Sequence, residues 1–124
     1  MFTDFQQLPV WQEAMNIAEE IFRLTENLPR KEDYGLTSQV RRSSLSISDN
    51  IAEGFGRHHN ADKIKFYIYS RGSANETKNQ LIYGNRVGYF TEAMKDELIQ
   101  KINHVIESLN KLIKSLTAKP KPEF

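Results

Sequence analysis

The sequence predicts an all-α chain: an antiparallel, up-down-up-down, left-handed four-helix bundle. Three observations carry this. Apolar residues recur at steps of three and four in four separate stretches, with no strand-like alternation of useful length. The four prolines, at positions 9, 29, 120 and 122, lie at the edges of those stretches or in the tail, so none interrupts a helix. The links between stretches are short, and short links make consecutive helices antiparallel. With 124 residues the chain is long enough for one core. A single domain is expected over residues 1–116, with helices at about 9–27, 36–55, 61–87 and 92–116.

Residues 1–8 read as a short extended arm, with Phe2, Phe5 and Leu8 placed to staple it to the bundle. Pro9 suits a first helical position, whose N–H needs no helical partner. Helix 1 sets Val10, Trp11, Ala14, Met15, Ala18, Ile21, Phe22 and Thr25 along one face and Glu13, Glu19, Glu20 and Glu26 along another. Pro29 ends it. Gly35 marks a turn in the polar link that follows.

Helix 2 carries Leu36, Val40, Ile47, Ile51 and Phe55 on one line, with Leu45 off it. Ser43, Ser44 and Ser48 share the helical spacing, and small residues there let a neighbouring backbone approach closely. Gly54 and Gly56 should end this helix near Phe55. Asn60 is the expected N-cap of helix 3, with Asp62 against its positive end. Its apolar line uses Ile64, Phe66, Tyr67, Ala74, Leu81 and Ile82. Interior Gly72 and Gly84 each cost roughly 1 kcal/mol against alanine, a cost that close approach of neighbouring helices would offset. Gly88 is the expected residue just past the helix end.

Thr91 should cap helix 4. Leu98, Ile102, Val105, Leu109, Leu112 and Leu116 form a seam at steps of four and three, and Ile99, Ile106 and Ile113 add a second ridge at steps of seven. Two apolar ridges are more than a single small bundle needs, and surplus apolar surface points to assembly. Residues 117–124, with Lys-Pro-Lys-Pro, are expected to be a disordered tail.

Composition excludes several classes. There is no cysteine, which removes disulfides, thiolate chemistry and cysteine zinc sites. The first residues lack the basic and apolar regions of a signal peptide. No stretch reaches the ~18 apolar residues of a membrane span. A cytoplasmic protein without membrane contact is expected. Net charge is +1, so there is no global attraction to nucleic acid. The charge is uneven, however: residues 1–33 carry three basic and seven acidic side chains, and residues 34–72 carry six and three. That asymmetry suits complementarity within or between subunits as readily as an RNA site.

Four segments occur in a fixed order: Leu8-Pro9-Val10-Trp11-Gln12-Glu13-Ala14, Tyr34 to Arg42, Ser46 to Gly54, and Gly72-Ser73-Ala74-Asn75-Glu76. In these the chain resembles the bacterial four-helix-bundle family of 23S rRNA intervening-sequence proteins, over residues 5 to about 115. The resemblance implies an up-down bundle that forms homopentamers, with no activity established for most members. Some genes of the family lie within intervening sequences of ribosomal RNA genes, hence an old ribosomal-protein label. A related accessory protein of diversity-generating retroelements is a basic pentamer that binds a reverse transcriptase and nucleic acid. The present chain differs at Ser48, near a position often held by proline, and in its near-neutral charge.

Arg41, Arg42, Arg57, Lys63 and Lys65 are the candidate basic surface, for subunit ion pairs or for phosphate contacts multiplied over an oligomer. Tyr67 and Tyr69 could stack on bases or serve the core. Asp49, Asn50 and Glu53, with Glu76 from the family motif, are expected to form a buried polar network that fixes helix register. Asp49 and Glu53 share a helix face, which would also suit acid–base or metal chemistry. No glutamate has a histidine three residues later, so the di-iron bundle pattern is absent, as are zinc-protease and nucleotide-binding fingerprints. The serine run has no His–Asp partner in sequence. The expectation is therefore a non-enzymatic homo-oligomer without cofactor or metal. The alternative is an RNA- or DNA-binding accessory factor, partnered by RNA or by a nucleic-acid enzyme.

Overall fold

The computed structural model describes residues 1–117. The expected tail lies outside the described residues, apart from Thr117, which ends the last helix. Four long helices make up the chain, α1 Pro9–Thr25, α2 Leu36–Phe55, α3 Asn60–Arg86 and α4 Glu92–Thr117, and no strand occurs among the described residues. Each helix packs on two others, α1 on α2 and α4, and α3 on α2 and α4, so the four enclose one core.

The N-terminal arm is not extended throughout. Residues Phe5–Gln7 form a 3-10 turn, because Asp4 accepts from the Gln6 N–H while Gln7 reaches back to the Asp4 N–H. The turn holds the Phe5 ring edge-on to Trp11, 5.2 Å between centroids, and Leu8 is buried. Pro9 opens α1, as its missing N–H allows. Helix α1 stops at Thr25, two residues earlier than expected. The Thr25 hydroxyl donates to the Ile21 carbonyl in the last turn, and the Leu28 N–H returns to the Thr25 carbonyl.

The core of α1 is Val10, Ala14, Ile17, Ile21 and Thr25. Ile17 belongs to this line, whereas Phe22, expected inside, is exposed and lies under the Arg41 guanidinium, 4.4 Å from its centroid. On α4 the seam Leu98, Ile102, Val105 and Leu109 is buried as the spacing predicts. Ile99, Ile106 and Ile113 stay half-buried against it.

Small and polar side chains are buried on both α2 and α3, and Ser43, Ser70, Thr77, Gln80 and Gly54 make contacts between them. Ser43, Ser44, Ser48 and Gly54 are buried on α2, and Ser70, Thr77, Gln80 and Gly84 on α3. A β-carbon on Gly54 would stand 2.8 Å from the Tyr67 ring, so glycine is required for the two helices to approach there. Gly84 makes room for the Phe90 ring of the following turn rather than for a neighbouring helix. Among the described residues nothing stands within 4 Å of the Gly72 β-carbon position, which corrects the expectation of a close helix approach at that point. Asn60 is the first residue of α3 rather than its cap; His59 holds the cap position without a side-chain bond. The other end of α3 closes as expected. Gly88 adopts φ 93°, and Tyr89 and Gly88 donate to the Gly84 and Asn85 carbonyls. The Thr91 hydroxyl accepts from the Met94 N–H at the start of α4.

Candidate functional site

The five candidate basic residues do not form one patch, because most are spent on the chain itself. Arg41 points to α1, where its Nε donates to the Thr25 hydroxyl at 2.7 Å and its Nη2 to the Phe22 carbonyl. Arg42 pairs with Glu76 of α3 at 2.5 Å. Arg57 pairs with Glu53 one turn back, also at 2.5 Å, and its guanidinium lies 4.6 Å from the Phe66 centroid. Lys63 donates to the Phe55 carbonyl at 2.8 Å, satisfying an end carbonyl of α2. Lys65 has no carboxylate partner among the described residues and sits over the Phe66 and Tyr69 rings, 6.0 and 5.9 Å away. Arg57, Lys65, Phe66 and Tyr69 therefore gather at one end of the α2–α3 pair, while Arg41 is turned to a different side. Tyr67 is buried beneath Gly54, and burial pushes its phenol upward, so it is a core residue.

The expected buried network of Asp49, Asn50, Glu53 and Glu76 is not formed within the chain. Asp49 and Glu53 are exposed, Asn50 donates to the Ser46 carbonyl of its own helix, and Glu76 meets Arg42 near the surface. The physical reason is register: Asp49 and Glu53 fall on the outward side of α2, opposite the line Val40, Ile47 and Ile51, while Asn50 sits half-buried at the edge of that line and Glu76 half-buried on α3. The buried polar network lies one face over. The Ser43 hydroxyl contacts the Thr77 hydroxyl at 2.8 Å and the Gln80 carbonyl oxygen at 2.6 Å, and the Ser70 hydroxyl donates to the Ile47 carbonyl at 2.7 Å. The serine-rich composition of α2 signals it; Thr77 and Gln80 were missed because their partners are far off in sequence.

A second polar cluster lines an open groove of about 710 Å³ between α1 and α4. Lys101 bonds Glu20 at 2.6 Å, the leading cause of an ammonium pKa above its ordinary value, and His104 faces Glu13 at 3.0 Å. At the opposite links, Tyr89 donates to Glu32 at 2.8 Å, which holds the Glu32 carboxyl below its ordinary value and the Tyr89 phenol above its own. Among the described residues, no three histidine or carboxylate side chains converge as a metal site would need. No helix there is long and apolar enough to cross a membrane.

Over residues 6–111 the sequence matches the 23S rRNA-intervening sequence protein family. The chain belongs to this family. No curated protein matches it. This family member is similar in fold to a crystal structure of a protein of unknown function from the S23 ribosomal protein family of Bacteroides thetaiotaomicron VPI-5482. The TM-score is 0.76 at 24% identity, over 85% of this chain and 98% of that one. The likeness is one of fold. It assigns no chemistry to the surface of this intervening-sequence family member.

Proposed function

We propose that the protein is a non-enzymatic homo-oligomer, a pentamer of left-handed, up-down-up-down bundles. The antiparallel course is supported by link length. The links 56–59 and 87–91 reach at most about 18 Å, whereas a parallel neighbour of α3 would require a return of about 40 Å. The observation that carries assembly is apolar exposure concentrated on one helix. Ile68 and Tyr69, and about four turns further Ile82 and Tyr83, are 39–52% exposed on α3, and exposed apolar side chains gathered on one helix suit an interface. The number five rests on the family resemblance. Light scattering tests assembly directly: the expected mass is a multiple of 14.4 kDa, and a monomer at tens of micromolar contradicts it.

A second reading, an RNA- or DNA-binding accessory factor, is favoured by Arg57 and Lys65 beside Phe66. Cations beside an aromatic ring suit single-stranded nucleic acid. Repetition over an oligomer would strengthen a weak contact. It predicts salt-sensitive binding of single-stranded RNA that Arg57→Glu with Lys65→Glu abolishes while the oligomer persists. Absence of binding at low salt rules against it.

A further inference from the structure

The open groove between α1 and α4 runs further than its polar cluster. Its middle, of about 710 Å³, continues into a cavity of about 400 Å³ that shares Glu20, Arg23 and Glu97 with it. Towards the other end it continues into one of about 380 Å³ that shares Glu13. On the α1 side the lining extends from Val10 to Asn27, and on α4 from Leu112 back to Met94. Glu13, Glu20 and Asn27 recur every seven residues along one wall, and Glu97, His104 and Lys111 along the other. A seven-residue step keeps each set on one face of its helix. At 1.5 Å per residue the stretch from Val10 to Asn27 is about 25 Å long.

The chemistry of the groove changes along its length. In the middle, Glu13, Glu19, Glu20 and Glu97 stand against two cations, Arg23 and Lys101. Lys101 bonds Glu20 at 2.6 Å and lies 3.6 Å from Glu97, and His104 is 3.0 Å from Glu13. Glu19 has no ion-pair partner among the described residues. Beneath these charges the floor includes Ile17, which is buried. Both ends are apolar: Leu24, Met94 and Leu98 line one, and Phe2, Val10 and Leu112 the other. Met94 and Phe2 are 41% and 50% exposed. An ordinary solvated helix face is polar throughout. This one is concave, acidic in the middle, and carries apolar side chains in water at each end.

We infer that the α1–α4 groove docks a basic amphipathic helix of a different protein. Its apolar anchors lie in the first and last turns, and lysine or arginine lies between them. A groove of this length takes a helix of about 17 residues. The anchors cover Met94 and Leu98 at one end and Phe2 and Leu112 at the other, removing them from water. The cations between them meet Glu19 and Glu97, the two carboxylates that α1 and α4 leave most open to a partner. The inference does not depend on the homo-oligomer reading.

Two synthetic helical peptides of that length test this, both with leucines in the first and last turns. One carries four lysines between the leucines, the other four glutamates. Binding of each labelled peptide to the full chain is followed by fluorescence anisotropy. The lysine peptide is expected to bind with a Kd on the order of tens of micromolar at low salt. It should bind about tenfold more weakly near 0.5 M salt, where charges are screened, and the glutamate peptide should bind about tenfold more weakly at low salt. Glu19→Lys with Glu97→Lys is expected to weaken the lysine peptide about tenfold with no change in the circular dichroism of the chain. The inference is overturned if the lysine peptide does not bind, binds no better than the glutamate peptide, or binds the double variant as it binds the wild type. Where the double variant loses its helical signal, the salt dependence and the glutamate peptide decide. Native mass spectrometry of the same samples separates the two readings. A chain that assembles and takes no peptide overturns this inference alone, its groove being covered by a second copy or by the chain's own residues. A monomer that binds the lysine peptide overturns the oligomer reading alone.

Discussion

Thr37 carries a hydroxyl that nothing satisfies: its Oγ1 is buried with no hydrogen-bond partner among the described residues. Burying an unpaired hydroxyl costs about 1–3 kcal/mol, and valine has nearly the same shape. Thr37→Val is therefore expected to raise the melting temperature by a few degrees, read by thermal circular dichroism; a lower melting temperature would show that the hydroxyl has a partner. Gly54 is the opposite case. Its β-carbon would meet the Tyr67 ring at 2.8 Å and the Phe66 β-carbon at 3.2 Å, and Tyr67 is only 3% exposed, so neither can step aside cheaply. Gly54→Ala is expected to destabilise by about 1–3 kcal/mol through overpacking, despite alanine's better helix propensity. Chemical denaturation checks this, and a gain in stability would mean that α2 and α3 part easily.

Among the elements, the ends are held by side chains as much as by the helices. Glu32 accepts from the Tyr89 hydroxyl and from the Leu36 N–H, so one carboxylate caps α2 and ties the α1–α2 link to the α3–α4 link. The Tyr89 bond, and after it the Leu36 bond, lowers the Glu32 pKa. A lowered folded pKa gives stability that is present above the unfolded carboxylate value and is lost as pH falls through the folded one. For Tyr89, raised first by the same bond, the stability is present below its unfolded value and lost as pH rises through the folded one. Tyr89→Phe is expected to raise the Glu32 pKa part of the way to its ordinary value, followed by carbon-13 NMR titration; an unmoved pKa would contradict the pairing. Legibility also differs by element. The α4 seam was plain because one row of leucine, isoleucine and valine faces one core. The buried line of α3 was not, because it runs through Ser70, Thr77 and Gln80, which become good core residues only once Ser43 and the Ile47 carbonyl are known to face them. Asp49 and Glu53 were misplaced for the related reason that a serine-rich helix hides which of its faces is inside.

At the scale of the molecule, four helices with short links were readable from periodicity and proline placement, and the family from four ordered segments. The basic surface was only partly readable. Composition finds arginine and lysine but not the Thr25, Glu53, Glu76 and Phe55 groups that engage four of the five. The two ion pairs among these contacts, Arg42–Glu76 and Arg57–Glu53, add little stability, about 0–1 kcal/mol each, and of the five cations Lys65 alone makes neither an ion pair nor a hydrogen bond among the described residues. The central claim concerns the apolar outer side of α3, which a single bundle leaves in water. Native mass spectrometry of the intact chain at tens of micromolar is the most direct test. Five copies of the 14.4 kDa chain, about 72 kDa, is the predicted species. A single 14.4 kDa species would contradict it.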